Sequence, residues 1–151
     1  MAKETISILD TDKNIIWTLK TLLESEGHPV IILDSVERAL RDFSEFQVSG
    51  LITEYWIQNL RTLGAIRKLK ELWPESYVMM ITHKEIDEDE YEEIMQTGVD
   101  DYFLKPMTIK RILLHLRKGL RYRNLLIEKN RLEKEMGIFY SGERVSSALN
   151  L

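Results

Sequence analysis

The stretch ISILDTDKNIIWTLKTLLESEGHPV (residues 6–30) decides the fold class, because a strand, a helix and the start of a second strand follow one another within it. Its apolar run Ile6–Leu9 ends at Asp10, and Asp12 then stands where a helix cap is expected. Apolar residues recur at helical spacing from there to Gly27, and glycine commonly ends helices. This order predicts a β-α-β unit with parallel strands.

The same alternation continues to about residue 120. The remaining strand-like runs are Val30–Leu33, Gly50–Ile52, Tyr77–Ile81 and Tyr102–Leu104. Amphipathic segments separate them, and we expect the third helix to begin its apolar stripe at Leu60 and to end before Pro74. The chain is therefore predicted to form one α/β domain around a parallel sheet.

The last predicted helix continues beyond this domain. From Thr108 to Met136 there is no proline, and Gly119 is the only internal glycine. Such a helix would be about 43 Å long, so its distal turns must project. Two interpretations stay open, a helix frayed beyond Arg123 and a short coiled coil, of which we favour the second. We divide the chain into a domain at 1–120, a projecting helix at 121–137 and an irregular tail at 138–151.

Composition excludes several functional classes. The 151 residues include 44% hydrophobic and 30% charged residues, as in a globular protein, and no cysteine for disulfide or thiolate chemistry. The net charge of −4 argues against direct nucleic-acid binding by this domain. The sequence shows neither a signal peptide nor an apolar run of the ~20 residues that cross a bilayer, so we expect no membrane association and a cytoplasmic location.

Four of the predicted strands end in polar residues whose side chains can bind a metal ion or take part in phosphoryl chemistry. Asp10, Glu54, Thr82 and Lys105 follow or close these runs. Parallel strands would bring all four to the carboxyl edge of one sheet, where ligands bind in open α/β folds. Carboxylates, a hydroxyl and an ammonium in one crevice are typical of a phosphoryl or metal site.

Two longer motifs carry a family resemblance. LDTDKNIIWTLKTLLESEGHPV (9–30) and YFLKP (102–106) stand in order within a match that covers Thr5–Leu120. The chain resembles the receiver domain of two-component response regulators, and its first motif is similar to receivers of enhancer-binding transcription activators. The resemblance implies a flavodoxin-like fold, a doubly wound five-stranded parallel sheet in the order 2-1-3-4-5, here with an extended C-terminal helix.

The resemblance also implies a role for each residue at the sheet edge. Glu54 occupies the phosphoacceptor position, Lys105 the phosphate-pairing lysine, and Thr82 and Tyr102 the switch hydroxyl and aromatic. In the acidic pocket Asp10, Thr11 and Asp12 stand in sequence, and the family binds Mg²⁺ there through acids at the first two positions. The backbone carbonyl of Trp56 occupies a further metal-ligand position.

Two departures from the family pattern decide the predicted function. Glu54 is longer than aspartate by one C–C bond, roughly 1.5 Å, so its carboxylate would lie nearer to where phosphoryl oxygens bind. Thr11 lacks the carboxylate that would bind Mg²⁺, so metal binding should be weak or lost and no cofactor is expected. We therefore predict a pseudo-receiver that is not an enzyme, held in an active-like state by Glu54 paired with Lys105.

Charge patterning predicts a partner surface. The fourth helix begins with acidic residues and the fifth carries basic ones, an arrangement that is self-complementary in a two-fold dimer. The predicted homodimer face consists of Asp87, Asp89, Glu90, Glu93, Lys110, Arg111, Arg117 and Lys118. An output domain or a partner protein is the other binding partner that the resemblance implies.

Two other functions are alternatives to the pseudo-receiver. A working response regulator could accept phosphate through Asp10 or Asp12 with Mg²⁺ and regulate transcription. An enzyme of flavodoxin-like fold fits poorly, because no cysteine nucleophile or glycine-rich phosphate loop is present and His28, His83 and His115 are scattered. The chain could be a stand-alone protein or a regulatory piece of a longer one.

Overall fold

Five strands form one parallel sheet in the computed structural model, which describes residues 3–137. The strands are β1 (Ile6–Leu9), β2 (Val30–Leu33), β3 (Gly50–Thr53), β4 (Tyr77–Thr82) and β5 (Asp101–Leu104). They lie in the order β2-β1-β3-β4-β5, so the predicted flavodoxin-like topology is confirmed. The predicted tail at 138–151 lies outside the described residues.

Five helices cover the two faces of the sheet. They are α1 (Lys13–Ser25), α2 (Val36–Glu45), α3 (Leu63–Leu72), α4 (Glu88–Gln96) and α5 (Ile109–Gly137). One core cluster joins Leu19 of α1 and Leu116 of α5 to the sheet, and the other contains Phe43, Leu69 and Ile94 from α2, α3 and α4. Successive strand residues alternate between these two cores, which explains why every residue of the central strands β1, β3 and β4 is buried.

The expectation that the third helix includes Leu60 is wrong. Trp56–Ile57 pairs antiparallel with Leu60–Arg61 in a hairpin, and Leu60 is 58% exposed. The two loop residues, Gln58 and Asn59, have φ angles of 51° and 67°. Two consecutive residues of positive φ make the tight turn that suits a two-residue hairpin loop, so α3 begins only at Leu63.

Helix α5 is continuous from Ile109 to Gly137. Beyond residue 120 it still contacts the domain, since Asn124 Nδ2 donates to Glu4 Oε2 at 2.8 Å and Asn130 Nδ2 to Glu75 Oε2 at 3.3 Å. The apolar side chains that would form a coiled coil are exposed, namely Leu125, Ile127, Leu132 and Met136. The domain boundary at residue 120 and the coiled coil stay predictions. Crossing a bilayer would require a longer apolar helix than any in residues 3–137.

Candidate functional site

Four polar residues meet at the carboxyl edge of the sheet. Asp10 follows β1, Glu54 follows β3, Thr82 closes β4 and Lys105 follows β5. The parallel register aligns these ends, because Leu9 pairs with Thr53 and Thr82 pairs with Leu104. The site is thus built from the ends of four strands that are distant in sequence.

Lys105 is the centre of this site. Its Nζ lies 3.2 Å from Asp10 Oδ2, 3.2 Å from Glu54 Oε1 and 3.7 Å from Asp12 Oδ2. The side chains of Lys105, Asp10 and Glu54 are 11%, 4% and 7% exposed, so these two ion pairs are largely shielded from water, whereas the Asp12 side chain is 39% exposed. A single ammonium therefore faces all three carboxylates of the crevice.

These contacts change the titration of Lys105. Burial alone would lower the pKa of its ammonium, but the negative charges of Asp10 and Glu54 and the hydrogen bonds to them outweigh that effect. The pKa of Lys105 consequently lies above its ordinary value. The ammonium is charged at neutral pH and cannot act as a proton acceptor there.

Both oxygens of Glu54 have partners. Oε2 accepts a hydrogen bond from the backbone N–H of Tyr55 at 2.6 Å, and Oε1 pairs with Lys105. His83 Nδ1 also lies 3.8 Å from Oε1, on a side chain that is 79% exposed. The Glu54 side chain is buried and held inside the pocket, where it faces the lysine.

Hydrogen bonds from nearby backbone N–H groups orient the carboxylates of the acidic pocket. Asp10 Oδ1 accepts from the N–H groups of Thr11 and Asp12 at 2.7 and 2.9 Å. Asp12 Oδ1 accepts from Asn14 N at 3.1 Å and from Ile15 N at 3.4 Å, which confirms its predicted role as the cap of α1. Thr11 is exposed and adds no carboxylate.

The donor set fits Mg²⁺ poorly. Mg²⁺ prefers an octahedron of oxygens that includes one or two carboxylates, and here Asp10 and Glu54 both direct an oxygen at the Lys105 ammonium. Across residues 3–137, no three His, Cys, Asp or Glu side chains are arranged to hold a metal ion. Trp56, whose carbonyl is the predicted metal ligand besides Asp10, lies in the hairpin. Weak or absent Mg²⁺ binding stays a prediction.

The two residues at the switch positions both bind the backbone of Lys84. Thr82 Oγ1 accepts from Lys84 N at 3.3 Å, and the Tyr102 hydroxyl donates to Lys84 O at 2.9 Å. The Tyr102 ring packs edge-on against Tyr91 with centroids 6.2 Å apart. Among the described residues, neither hydroxyl is hydrogen-bonded to Glu54.

Sequence reasoning missed a polar network that begins beside Glu54. The buried Tyr55 donates its hydroxyl to Glu90 Oε2 at 3.1 Å and accepts from Arg61 Nη1 at 3.4 Å. Arg61 in turn forms two hydrogen bonds of 2.9 Å with Glu93. The network links the carboxylate of Glu54, through the next residue, to helix α4. The adjacency of Tyr55 to Glu54 was the only signal of it in the sequence.

The eight residues of the predicted dimer face do not share one surface. Glu90 and Glu93 of α4 point toward the hairpin.

The basic residues of α5 lie on two sides of the helix. His115 packs on Phe103 of β5, whereas Arg117 pairs with Glu26 of α1 at 2.5 Å. An α-helix turns by about 100° per residue. Lys110 therefore lies on the same side of α5 as Arg117, whereas Arg111 and Lys118 lie on the side of His115, which faces β5. Asp87 caps α4 through Glu90 N at 2.8 Å, and Asp89 stands one turn before Glu93.

A cleft of about 410 Å³ opens beside the ion-pair cluster. It is lined by Asp12, Ile15, His83, Lys105, Pro106 and Met107. The cation in its wall is already neutralised by carboxylates, so the cleft offers little uncompensated positive charge to a phosphoryl group.

Comparison with known proteins gives a consistent result. The family described as "Response regulator receiver domain" matches residues 6–117. The heme response regulator HssR of Staphylococcus saprophyticus is 28% identical over 123 residues, which are 82% of this chain and 54% of HssR. The transcriptional regulatory protein CpxR of Escherichia coli is 27% identical over 116 residues, 77% of this chain and 49% of CpxR. The chain thus spans about half the length of these curated relatives.

Solved structures agree on the fold. A CheY-like receiver domain protein from Methanospirillum hungatei superimposes with a TM-score of 0.74 at 20% identity, over 82% of this chain and 98% of that protein. A receiver domain protein from Clostridium thermocellum gives a TM-score of 0.70 at 25% identity, over 82% of this chain and 99% of the other.

Proposed function

The chain belongs to the family of response regulator receiver domains, and on this premise we propose that it is a pseudo-receiver. It signals through contact with other protein surfaces and is not phosphorylated at the position the family uses. Receiver domains are signalling modules, so no enzymatic reaction is assigned to it, and a cytoplasmic location follows from the same proposal. The relative CpxR is a transcriptional regulatory protein, and regulation of transcription through an output domain or a partner protein is part of the proposal.

The observation that carries this proposal is the contact between Glu54 and Lys105. The lysine that would pair with an incoming phosphoryl group already lies 3.2 Å from Glu54 Oε1. The second oxygen of Glu54 accepts from Tyr55 N, so neither oxygen is free to attack a phosphorus atom without breaking a contact. The longer side chain acts as an internal substitute for the phosphoryl group and holds the pocket in a single state.

Phosphate acceptance by a neighbouring acid is disfavoured by the same contacts. Asp10 uses one oxygen for two backbone N–H groups and the other for Lys105. Asp12 Oδ1 caps α1, and phosphorylation at the other oxygen would turn the charged carboxylate into a neutral acyl group, which is a weaker acceptor for the first N–H groups of that helix. Without a carboxylate at Thr11, Mg²⁺ would also have too few ligands to neutralise a bound phosphoryl group.

Homodimerisation through α4, β5 and α5 is the proposed mode of output. Between the two helices, Tyr91 and Leu104 are 43% and 46% exposed, which supplies an apolar centre for an interface. Arg111 and Lys118 flank this centre on the α5 side, opposite the acidic start of α4. The exposed apolar residues of the distal α5 would extend the contact as a short coiled coil.

Incubation with acetyl phosphate and Mg²⁺, followed by intact-mass measurement, tests the loss of phosphorylation. We expect no mass increase for the natural chain. The double variant Thr11→Asp/Glu54→Asp serves as a matched control, because it restores the second acid and the shorter acceptor, and it should gain the mass of one phosphoryl group. A phosphoryl group on the natural chain, mapped to Asp10, Asp12 or Glu54, would overturn the proposal.

A further inference from the structure

The solvent face of α5 carries a row of basic residues beside α1. Lys110, Arg117 and Arg121 follow one another at intervals of seven and four residues, and Leu114 stands between the first two. Residues at these intervals lie along one side of an α-helix, so the four side chains form a single row about 17 Å long. All four residues are exposed. This basic row lies on the α1 side of the helix, because Arg117 pairs with Glu26 of α1.

Two of the three charges in the basic row are uncompensated. Arg117 is neutralised by Glu26 at 2.5 Å. Within residues 3–137, no carboxylate oxygen lies within 4.0 Å of the Lys110 ammonium or of the Arg121 guanidinium. The two ends of the basic row are therefore available to pair with carboxylates of another molecule.

Two exposed leucines lie beside these charges. Leu114 is 53% exposed and Leu22 of α1 is 37% exposed. Helices α1 and α5 run in the same direction, because both begin at the carboxyl edge of the sheet. Leu22 lies one turn before Glu26 and Leu114 one turn before Arg117, so the contact between Glu26 and Arg117 places the two leucines at about the same level. The shallow groove between the two helices thus has an apolar part with basic residues along one rim.

This layout fits a helix of another protein better than it fits a polyanion. Protein interfaces combine an apolar centre with a polar rim, and amphipathic helices lay their apolar face into such grooves. Anionic membranes are recognised by clusters of about four to eight lysines and arginines, more than the basic row contains. The net charge of −4 also opposes long-range attraction to a membrane or to nucleic acid.

We propose that the groove between α1 and α5 docks an acidic amphipathic helix of a partner protein. The apolar residues of that helix would pack against Leu22 and Leu114, and its carboxylates would pair with Lys110 and Arg121. The basic row spans about three turns, so the docked helix has about twelve residues or more. Such a helix belongs to the partner protein of the proposed function, on which this assignment rests. The groove and the predicted dimer face lie on different sides of α5, so a partner and a second copy could bind together.

Amide NMR titration of the full chain tests the proposal with two synthetic helical peptides as probes. Both carry leucines on one face, and the other face consists of glutamates in the first peptide and of lysines in the second. The glutamate peptide should shift the amides of residues 18–26 and 110–121 in a saturable manner, and the lysine peptide should not. A short DNA duplex and phosphatidylserine vesicles at equal ionic strength should bind at least about tenfold more weakly than the glutamate peptide.

Three variants and a matched control locate the binding. Lys110→Glu and Arg121→Glu reverse the free charges, and Leu114→Ala removes apolar surface. Each should weaken binding of the glutamate peptide about tenfold or more, whereas Arg41→Glu, an equal charge reversal on the exposed side of α2, should leave it unchanged. Absence of saturable shifts, equal losses in the Arg41 and Arg121 variants, or tighter binding of DNA or vesicles would each overturn the proposal.

The outcome can be separated from that of the proposed function. The groove includes neither Glu54 nor Arg111, so a peptide that fails to bind would leave the phosphorylation and dimer measurements unchanged. Likewise, a phosphorylated natural chain would not alter the expected peptide binding. Weaker self-association of the Lys110→Glu variant would show that a second copy occupies the groove, and this result would also overturn the proposal.

Discussion

The Lys105 ammonium and the Glu54 carboxylate form a buried ion pair with Nζ and Oε1 3.2 Å apart. The two residues follow β5 and β3, so their contact passes across the end of β4, the strand between them. Asp10 at the end of β1 completes the cluster from the other side of β3. One lysine thereby joins the ends of three strands, and the cluster contributes to both the stability and the signalling state of the domain.

Replacing this lysine should destabilise the fold. Lys105→Met would leave Asp10 and Glu54 facing each other without a cation, at a cost of about 3 kcal/mol in the free energy of unfolding. Urea unfolding measures this change. Lys129→Met is the matched control, because Lys129 is 64% exposed and its pair with Glu133 should contribute less than about 0.5 kcal/mol. Equal effects of the two substitutions would contradict the central role of Lys105.

The stabilisation by Lys105 should depend on pH in one direction. Its folded pKa lies above the ordinary value of 10.5, because the carboxylates of Asp10 and Glu54 outweigh the opposing effect of burial. A raised pKa means that the stabilisation is complete below 10.5 and is lost as pH rises through the folded pKa. The difference in unfolding free energy between the natural chain and Lys105→Met should stay constant from about pH 7 to about pH 9 and shrink above 10.5. A difference that grows with alkaline pH would contradict this assignment.

Two glycine substitutions should have opposite effects. A Cβ at Gly119 would overlap the ring of Tyr77, whereas a Cβ at Gly64 would meet no atom within 4 Å. Both residues lie in helices, where alanine is favoured over glycine by up to about 1 kcal/mol. We expect Gly64→Ala to stabilise and Gly119→Ala to destabilise by about 1–3 kcal/mol. Thermal unfolding of both variants checks this, and a stabilised Gly119 variant would show that Tyr77 is not fixed against α5.

Tyr55→Phe should weaken the hydrogen-bond network that connects the Glu54 pocket to α4. The substitution removes the hydroxyl that bonds Glu90 and Arg61, at a cost of about 1 kcal/mol. Amide NMR should show shifts in α4 beyond the immediate neighbours of Tyr55. Tyr122→Phe is the control, because Tyr122 is 61% exposed and lies in α5, outside the helix whose amides are measured. An undisturbed α4 in the Tyr55 variant would exclude the network as a route between the two.

Charge reversal on α5 tests the dimer face. Arg111→Glu places a like charge opposite the acidic α4 of a partner copy and should weaken self-association about tenfold or more. Lys110→Glu makes the same change on the α1 side of the helix and should leave association unaltered. Analytical ultracentrifugation at several salt concentrations measures both. A monomer at tens of micromolar under every condition, or equal effects of the two reversals, would rule out this dimer.

The topology could be predicted because it depends on local patterns. Apolar runs ending at Asp10 and Lys105 place strands and their ends, and parallel pairing then brings those ends together. The hairpin at Trp56–Arg61 could not be predicted in this way, since Leu60, Leu63 and Ile66 keep helical spacing. Positive φ angles at two polar loop residues interrupt that pattern.

Contacts between side chains of different helices and strands also could not be predicted from the sequence. The network of Tyr55, Arg61 and Glu93 depends on how α4 docks against the hairpin, which no spacing along the chain encodes. The burial of Arg123 likewise follows from the passage of α5 beneath the sheet, where the sequence indicated only an interruption of an apolar stripe. The division of the basic α5 residues between two sides required the contacts of His115 and Arg117.

Titration with beryllofluoride and Mg²⁺, followed by fluorine NMR, tests most directly whether Glu54 has replaced the phosphoryl group. Beryllofluoride needs a free carboxylate, a free lysine and a bound metal ion at once. The first two conditions fail if Lys105 is held by Glu54, and the third fails if Mg²⁺ lacks the carboxylate that Thr11 does not supply. We predict no protein-bound fluorine signal for the natural chain and a clear one for Thr11→Asp/Glu54→Asp. A saturable bound signal from the natural chain, dependent on Mg²⁺, would show a working phosphorylation site and contradict the account.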